Sequence, residues 1–588
     1  MSHTPTYDAK IKPILDTLQP RLRVCRLTGQ AWDMTEREIG WYRQFNVPPS
    51  DIHPTVRLKF LLGFGAGTVL WKKPHAKTGQ PILTFVHPDS PYQVVSDREW
   101  MDAEYLCSGP DADPGRPFFD QLRSLARSIP VGALHDDGSN QRSIGVDFIK
   151  CEDGYMVFGS GLSRRLSYAY TAYETEDSVD VANVRFSRFC HAVNRADHLY
   201  DCAFVFESYD CIGSRFLFDC RNCESCFGAT NQRNKKYLWF NEQLTKEEWE
   251  RRVAAVDLSS RTVFEAQRAQ FLKCLQDAVW PPDFNHKSED YSGEYMYESV
   301  RCHDGYLVTT CTDCDWCWIT MEQEQSAFST WLVWGSGIYG SCDSVSSQDL
   351  RFCLRIWRSR DMEYCINCYD CESCFGCVGL KRKKWCLFNV QYAEQEYWER
   401  VDVLKGAMLE RGEYGRFFPA DLSQNGFQFS LGDMFFGYSK EEMNVFHAPV
   451  FDLRRGGILV VSDTGIDVSA LPDSSRDPEA ASWIGKPIFD SRLQRQFTIT
   501  SQEVDFYRSR DLPLPNEHFL SRLKKLVRLS NMPTQKAVVC TFCRVSIQAY
   551  GNGTFAERKV VCRPCYLRFL EQEVEPNRQM RDTIGMSK

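Results

Sequence analysis

The chain has 588 residues, of which 43% are hydrophobic and 13% aromatic, and 70 Lys and Arg against 78 Asp and Glu give a formal charge of -8. That is apolar material for roughly four domain-sized stretches of about 150 residues. The acidic balance excludes a protein that coats nucleic acid over its whole surface, while allowing a local basic face.

Met1 to Asp16 lacks the apolar stretch of a signal peptide, and no run of about 18 apolar residues occurs. The expectation is a cytoplasmic protein with no membrane partner. Its 26 cysteines are then reduced, and either bind metal or pack as small hydrophobes.

Residues 1–140 contain a module that returns near the end of the chain. Trp32, Thr35, Glu38, Trp41, Tyr42, Val47, Pro48 and His53 recur 465 residues later as Phe497, Thr500, Glu503, Phe506, Tyr507, Leu512, Pro513 and His518. Arg57, Leu58 and Leu61 continue the register onto Arg522, Leu523 and Leu526. The pattern predicts a helix that stops before prolines, then a second, basic helix. The same offset sets His75 against Cys540 and Thr78 against Cys543. The N-terminal copy is therefore read as a degenerate ribbon with a hairpin-like relic around Gly79 to His87 and no metal. Cys25 is read as a buried thiol.

Twenty of the cysteines lie between Cys151 and Cys386, and this Cys-rich middle divides into two copies, 145–290 and 291–410. Cys220-Arg-Asn-Cys223-Glu-Ser-Cys226-Phe-Gly228 returns 148 residues later as Cys368-Tyr-Asp-Cys371-Glu-Ser-Cys374-Phe-Gly376. Lys235, Phe240 and Arg252 meet Lys383, Phe388 and Arg400 in the same register. Within a copy, Cys365, Cys368, Cys371, Cys374 and Cys377 step by three, and Phe206, Cys211, Phe216 and Cys226 fit a step of five with one miss. Short apolar steps suit a narrow β-solenoid that stacks like side chains in its interior, and do not suit a helix of period 3.6. The rival reading, zinc knuckles such as Cys311-x-x-Cys314-x-x-Cys317, needs closed sets of four thiolates that the ladder does not supply. Packed free thiols are the preferred reading. Thr245 and Glu248 predict a capped helix from about Lys246, and a second helix is expected over 261–279. These helices would cap the open solenoid ends, with a weaker cap at Ala393.

Residues 411–490 read as an irregular α+β region, with Ser/Asp/Pro-rich flexibility near 470–482. The helical and zinc-ribbon module follows at 491–570, and 571–588 form a tail. In that module Cys540-x-x-Cys543 and Cys562-x-x-Cys565 are two knuckles that place four thiolates around one structural zinc. A closed set of four thiolates leaves no position for catalysis. Residues 516–568 carry ten Lys and Arg against two Glu. Arg522, Lys524, Lys525, Arg528, Arg544, Arg558, Lys559 and Arg563 are candidate phosphate contacts, with Phe542, Tyr550 and Phe555 able to stack on bases. A solvated face, or one docked on the protein's own acidic surface, is the equal alternative.

No Walker A string, H-E-x-x-H or G-x-S-x-G occurs. Gly335-Ser-Gly337-Ile-Tyr-Gly340 resembles a dinucleotide fingerprint but is followed by β-prone sequence, so it is read as a turn. Cys190-His191 and Cys302-His303 are neighbours that would point to opposite faces of a strand. The expected fold is α+β and multidomain, with a duplicated Cys-rich solenoid flanked by duplicated end modules.

Cys25-Arg-Leu-Thr-Gly29, His87-Pro-Asp-Ser-Pro-Tyr92, Arg116-Pro-Phe-Phe119, Cys223-Glu-Ser-Cys-Phe-Gly228, Phe240 to Glu248, Glu503-Val-Asp-Phe-Tyr507, Leu512-Pro-Leu-Pro515 and the Cys540 to Cys565 set together resemble a family. It is that of uncharacterised zinc-ribbon and cysteine-repeat proteins of small uncultured bacteria, and the resemblance runs nearly end to end. Its members carry further cysteines where this chain has His53, His75 and His518. The resemblance implies architecture and no activity. The functional expectation is a non-enzymatic zinc-binding scaffold whose basic ribbon contacts nucleic acid or a nucleoprotein. The alternatives are a protein-interaction platform without nucleic acid, and a thiol redox or metal-buffering protein.

Overall fold

A computed structural model describes residues 2–65, 67–107, 112–452, 465–493 and 495–574. Most of the expected tail, part of the 411–490 region and the string 453–464 therefore lie outside the described residues. The chain is a mixed helix and strand protein with several separate sheets and no closed barrel among the described residues. Among the same residues no helix is long and apolar enough to cross a membrane.

Two compact units form, and neither is sequential. One joins Met1–Leu134 to Asn285–Gly456, and the other joins His135–Phe284 to Gly457–Lys588. Each unit thus combines one end segment with one Cys-rich copy.

The second unit is built on a seven-stranded parallel sheet. Partners in its ladder lie 12 residues apart, as in Ser167, Val179, His191, Ala203 and Arg215. The backbone gives the reason. A residue with left-handed φ stands before each inward side chain: Asp180 (55°) before Val181, Asn183 (53°) before Val184, Phe186 (51°) before Ser187 and Phe189 (58°) before Cys190. Such residues recur at every third position and every third side chain is buried in one interior, while paired strands recur every 12 residues. A left-handed corner costs a non-glycine residue about 1–2 kcal/mol. Rung hydrogen bonds offset this, for example Val179 N–H to Cys190 O (2.9 Å). Inward serines add to them, Ser178 Oγ accepting from Cys190 N–H (3.0 Å) and Ser208 Oγ from Cys220 N–H (3.0 Å).

The interior of this ladder is Val157, Leu166, Ala169, Val181, Val193 and their 12-residue successors, with Cys190, Cys202, Cys211, Cys220, Cys223 and Cys226 among them. The step of three is therefore the one that organises the core. The step of five is not: Phe216 faces outward, 5.5 Å from Phe264 of the helix Arg261–Asp277. That helix buries Phe264, Phe271 and Leu275 along the flank of the ladder, so it does not cap an end. The helix Lys246–Ala254 does begin where Thr245 predicts, with Thr245 Oγ1 accepting from Glu248 N–H (3.2 Å). Glu248 pairs with Arg251 and Arg252 and does not reach back to complete a capping box. Within 470–482, Asp473 is tied to the start of the same helix, accepting from Thr262 N–H (3.0 Å) and from the Ser260 hydroxyl.

The first unit has a 12-stranded sheet with the same spacing, as in Thr330, Cys342, Leu354, Ile366 and Val378. Leu332, Ile338, Leu350, Cys353, Ile356, Met362 and the run Cys365 to Cys377 fill its interior. Gly335, Gly337 and the residues after them continue strand Ala327–Tyr339 into strand Cys342–Val345, so no helix follows to face a pyrophosphate. The N-terminal helices Glu36–Phe45 and Pro54–Leu62 dock on this ladder. Asp315, 2% exposed, accepts from Trp41 Nε1 (2.6 Å) and pairs with Arg37 (2.5 Å). Ala393 supplies no side-chain cap to the helix Glu394–Glu410. The described part of 411–490 is irregular but not a linker. Phe418, Leu422 and Phe427 are fully buried, and Phe427 packs against Phe60 and Phe64.

Candidate metal centre

Strands Gln535–Val539 and Ser546–Tyr550 form an antiparallel hairpin. At its turn Arg544 has φ 65°, and this bends the chain so that Arg544 N–H returns to Cys540 O (3.0 Å). Cys540 Sγ then accepts from the N–H groups of Cys543 (3.5 Å) and Cys562 (3.3 Å). The second pair does not sit in another hairpin. Cys562 precedes the helix Arg563–Val574 and Cys565 lies in its first turn, where the positive helix end favours thiolate.

The four sulfurs lie within 4.8 Å of one another, and Cys543 Sγ is 3.6 Å from Cys562 Sγ. Tetrahedral coordination with metal–sulfur bonds of about 2.3 Å sets sulfurs about 3.8 Å apart. The quartet therefore fits a metal ion held by four thiolates. Arg568 Nη2 lies 3.1 Å from Cys565 Sγ and offsets part of the excess negative charge. The module is fastened within its unit by strand Lys559–Val560 beside Val279–Trp280, and by Tyr566 donating to Asp219.

Among the described residues this is the only set of three or more Cys, His, Asp or Glu whose ligand atoms come so close. The ladder thiols are instead spent on their own backbone. Cys365, Cys368, Cys371, Cys374 and Cys377 each donate to the carbonyl two residues earlier, at 3.3, 3.5, 3.3, 3.4 and 3.4 Å. Cys190 is inward and fully buried while His191 faces the other way, toward Tyr507.

The candidate phosphate contacts have different environments. Arg522 is enclosed, bonded to Asp180 (2.6 Å) and Tyr507 (3.0 Å). Lys525 pairs with Glu517 (2.6 Å), Lys559 with Asp277 (3.0 Å) and Arg563 with Asp283. Arg558 donates to Phe555 O (3.2 Å) and stacks on Trp280. Lys524 is half-buried, whereas Arg528 and Arg544 are exposed. Of the three aromatics offered for stacking, Tyr550 and Phe555 are buried and only Phe542 is exposed. Beside Phe542 stand the exposed apolar residues Val539 and Val545.

In the other unit, His75 occupies the turn of a hairpin made by Trp71–Pro74 and Pro81–Thr84. Its Nδ1 accepts from Lys77 and Thr78 N–H (both 3.3 Å), and its Nε2 meets Glu99 at 2.6 Å. An imidazole thus organises this turn much as Cys540 organises the ribbon turn. Cys25 is buried at a third such turn, where Gly29 N–H returns to Cys25 O (2.9 Å).

The sequence reading missed a buried polar cluster in the second unit. Glu503 and Asp180 are both enclosed and share one guanidinium, that of Arg522. Tyr168 donates to Glu503 (3.0 Å). His191 Nδ1 lies 3.9 Å from Asp180 Oδ2, and neither His191 Nδ1 nor Asp180 Oδ1 has a hydrogen-bond partner. Burial and the nearby Arg522 push the His191 imidazole down to about 3, so it is neutral. No sequence motif announces the cluster, because Tyr168, Asp180 and His191 lie more than 300 residues from Glu503 and Arg522.

No protein-family model matches the chain, and no curated protein is similar to it.

Proposed function

We propose that the protein is a non-enzymatic scaffold in which one zinc ion, held by Cys540, Cys543, Cys562 and Cys565, shapes a ribbon that docks on a protein partner. On this reading the two parallel ladders are β-solenoid segments, related by duplication as the end modules are, and serve as the rigid body. The observation that carries it is the ribbon tip. Val539, Phe542 and Val545 are 57%, 48% and 58% exposed, apolar residues at the end of a metal-organised hairpin, with the exposed Arg544 in the same turn. Three cations of this module, Lys525, Lys559 and Arg563, are already paired within the protein.

A second reading, contact with nucleic acid or a nucleoprotein, is supported by the exposed cations Arg528, Lys536 and Arg544 of this module and by the exposed ring of Phe542. Crosslinking in cells with the full chain separates the two. The expected result is a partner protein retained after nuclease treatment and lost with Phe542→Asp and Val545→Asp. Capture that vanishes with nuclease, and a single-stranded RNA whose affinity falls steeply with salt, would replace the first reading with the second. The thiol redox alternative requires reactive interior thiols, whereas the ladder sulfurs are buried.

A further inference from the structure

The end modules leave a cleft at the same place in both units. In the second unit it has a volume of about 350 Å³ and is lined by Pro513, Arg522 and Leu526 of the module. In the first unit it measures about 790 Å³ and is lined by Pro48, Arg57 and Leu61, the residues 465 positions earlier in the sequence. Volumes in this range hold small organic ligands.

The second unit's cleft is sharply divided in character. Part of its wall is apolar, with Phe204, Phe264, Leu272 and Leu526 lining the space. Asp180 and His191 line it too. Asp180 is 3% exposed, yet its Oδ1 and the Nδ1 of His191 lack partners. A buried hydrogen-bonding atom left unmet is destabilising, and a ligand donor or acceptor would satisfy it. Arg261, Arg268, Lys525 and Arg528 also line the cleft. Lys525 and Arg268 are paired with Glu517 and Glu265. Arg261 Nη2 donates to Pro472 O (3.3 Å) and Asp473 and Glu265 are the carboxylates near it, but its buried Nε has no partner. In the first unit Arg57 repeats the theme: it is 8% exposed, its Nη1 is unpartnered, and it stacks on Phe328 at 4.3 Å.

We infer that the second unit's cleft binds a small organic anion with a flat apolar body, its charge on Arg261 and Arg528 and its hydrogen-bonding end on Asp180 and His191. The first unit's cleft is a separate site of the same origin. This inference is independent of what the ribbon contacts.

The test uses the full chain and the fluorescent anion 8-anilinonaphthalene-1-sulfonate. Saturable binding is expected. Leu272→Trp, which fills the cleft from a half-buried position, should remove one equivalent of bound probe and leave any first-unit site intact. Arg261→Ala should weaken that equivalent about tenfold, while Arg98→Ala, on a first-unit side chain that is 93% exposed, should leave it unchanged. The anion 2-naphthoate should displace the probe and the cation 1-naphthylmethylamine should not. Unchanged stoichiometry in Leu272→Trp, with the fold confirmed by circular dichroism, overturns the inference. So does equal displacement by the cation, or wild-type affinity in Arg261→Ala.

Discussion

Cys202 offers a quantitative separation between sulfur as interior filling and sulfur as ligand. It is 1% exposed, and its Sγ lies 3.5 Å from Tyr200 O and 3.4 Å from Cys211 O. One repeat of 12 before and after it on the chain stand Cys190 and Ser214, also inward. Truncation to Ala removes one methylene-sized group, about 0.8 kcal/mol of transfer energy. A partial cavity and a weak S–H bond bring the loss to about 1–2 kcal/mol, close to a buried Ile→Val change. Ser should cost less than Ala, since Ser208 and Ser214 already bridge successive repeats through their hydroxyls. Leu should overpack the narrow interior by about 1–3 kcal/mol. With a urea slope of about 3 kcal/mol/M, Cys202→Ala lowers the unfolding midpoint by about 0.5 M. Urea titrations followed by circular dichroism, with elemental analysis of the same samples, make the measurement. A structural zinc contributes about 10–16 kcal/mol in small metal domains, so a ligand could not be removed so cheaply. Loss of a metal equivalent in Cys202→Ser, or collapse of the fold in Cys202→Ala, refutes the packing argument.

Elemental analysis of the wild-type chain should return one zinc, and Cys562→Ser should abolish it while raising hydrogen exchange across Gln535–Val574. Asp180 is pushed up to about 7 by burial, with Arg522 opposing and Glu503 reinforcing the shift. From about pH 4, the ordinary carboxyl value, to about 7, the native state holds a proton the unfolded chain has released. Asp180 therefore contributes stability that is lost as pH rises through that window, while the neutral His191 beside it contributes in the opposite sense, so the urea midpoint of Asp180→Asn should gain on the wild type as pH rises from about 4 to about 7. Thr245→Ala should cost about 1 kcal/mol, whereas Ala393→Ser should gain about 0.5–1 kcal/mol because the extended Ala393 backbone and Glu396 already suit a capping box. Thermal melts of the two variants against wild type decide this. Asp315→Ala should cost about 1–3 kcal/mol, less than a fully enclosed pair because Arg37 is 47% exposed. Urea unfolding unchanged by this variant would remove Asp315 as the anchor of the N-terminal helices.

Short-range chemistry was written in the residues themselves. Two C-x2-C pairs at ribbon spacing determine a sulfur quartet because knuckle turns are local and thiols are its ligands. The step of three from Cys365 to Cys377 likewise reflects a corner at every third residue, and Thr245 marks a helix start by bonding three residues ahead. Longer-range properties were decided only in three dimensions. A period of three does not state how far apart paired strands lie, so the 12-residue spacing was decided by the ladder register. Two repeated segments do not state which copy packs on which, because joining distant parts of a chain costs only a slowly growing loop entropy. The fold therefore sets residues 1–134 against the second Cys-rich copy. Side chains such as Arg563 and Lys559 read as free cations in sequence, yet they pair with Asp283 and Asp277, which only tertiary packing brings near. The cleft over Asp180, His191 and Arg522 is of the same kind: its chemistry comes from burial, and burial is a property of the assembled core.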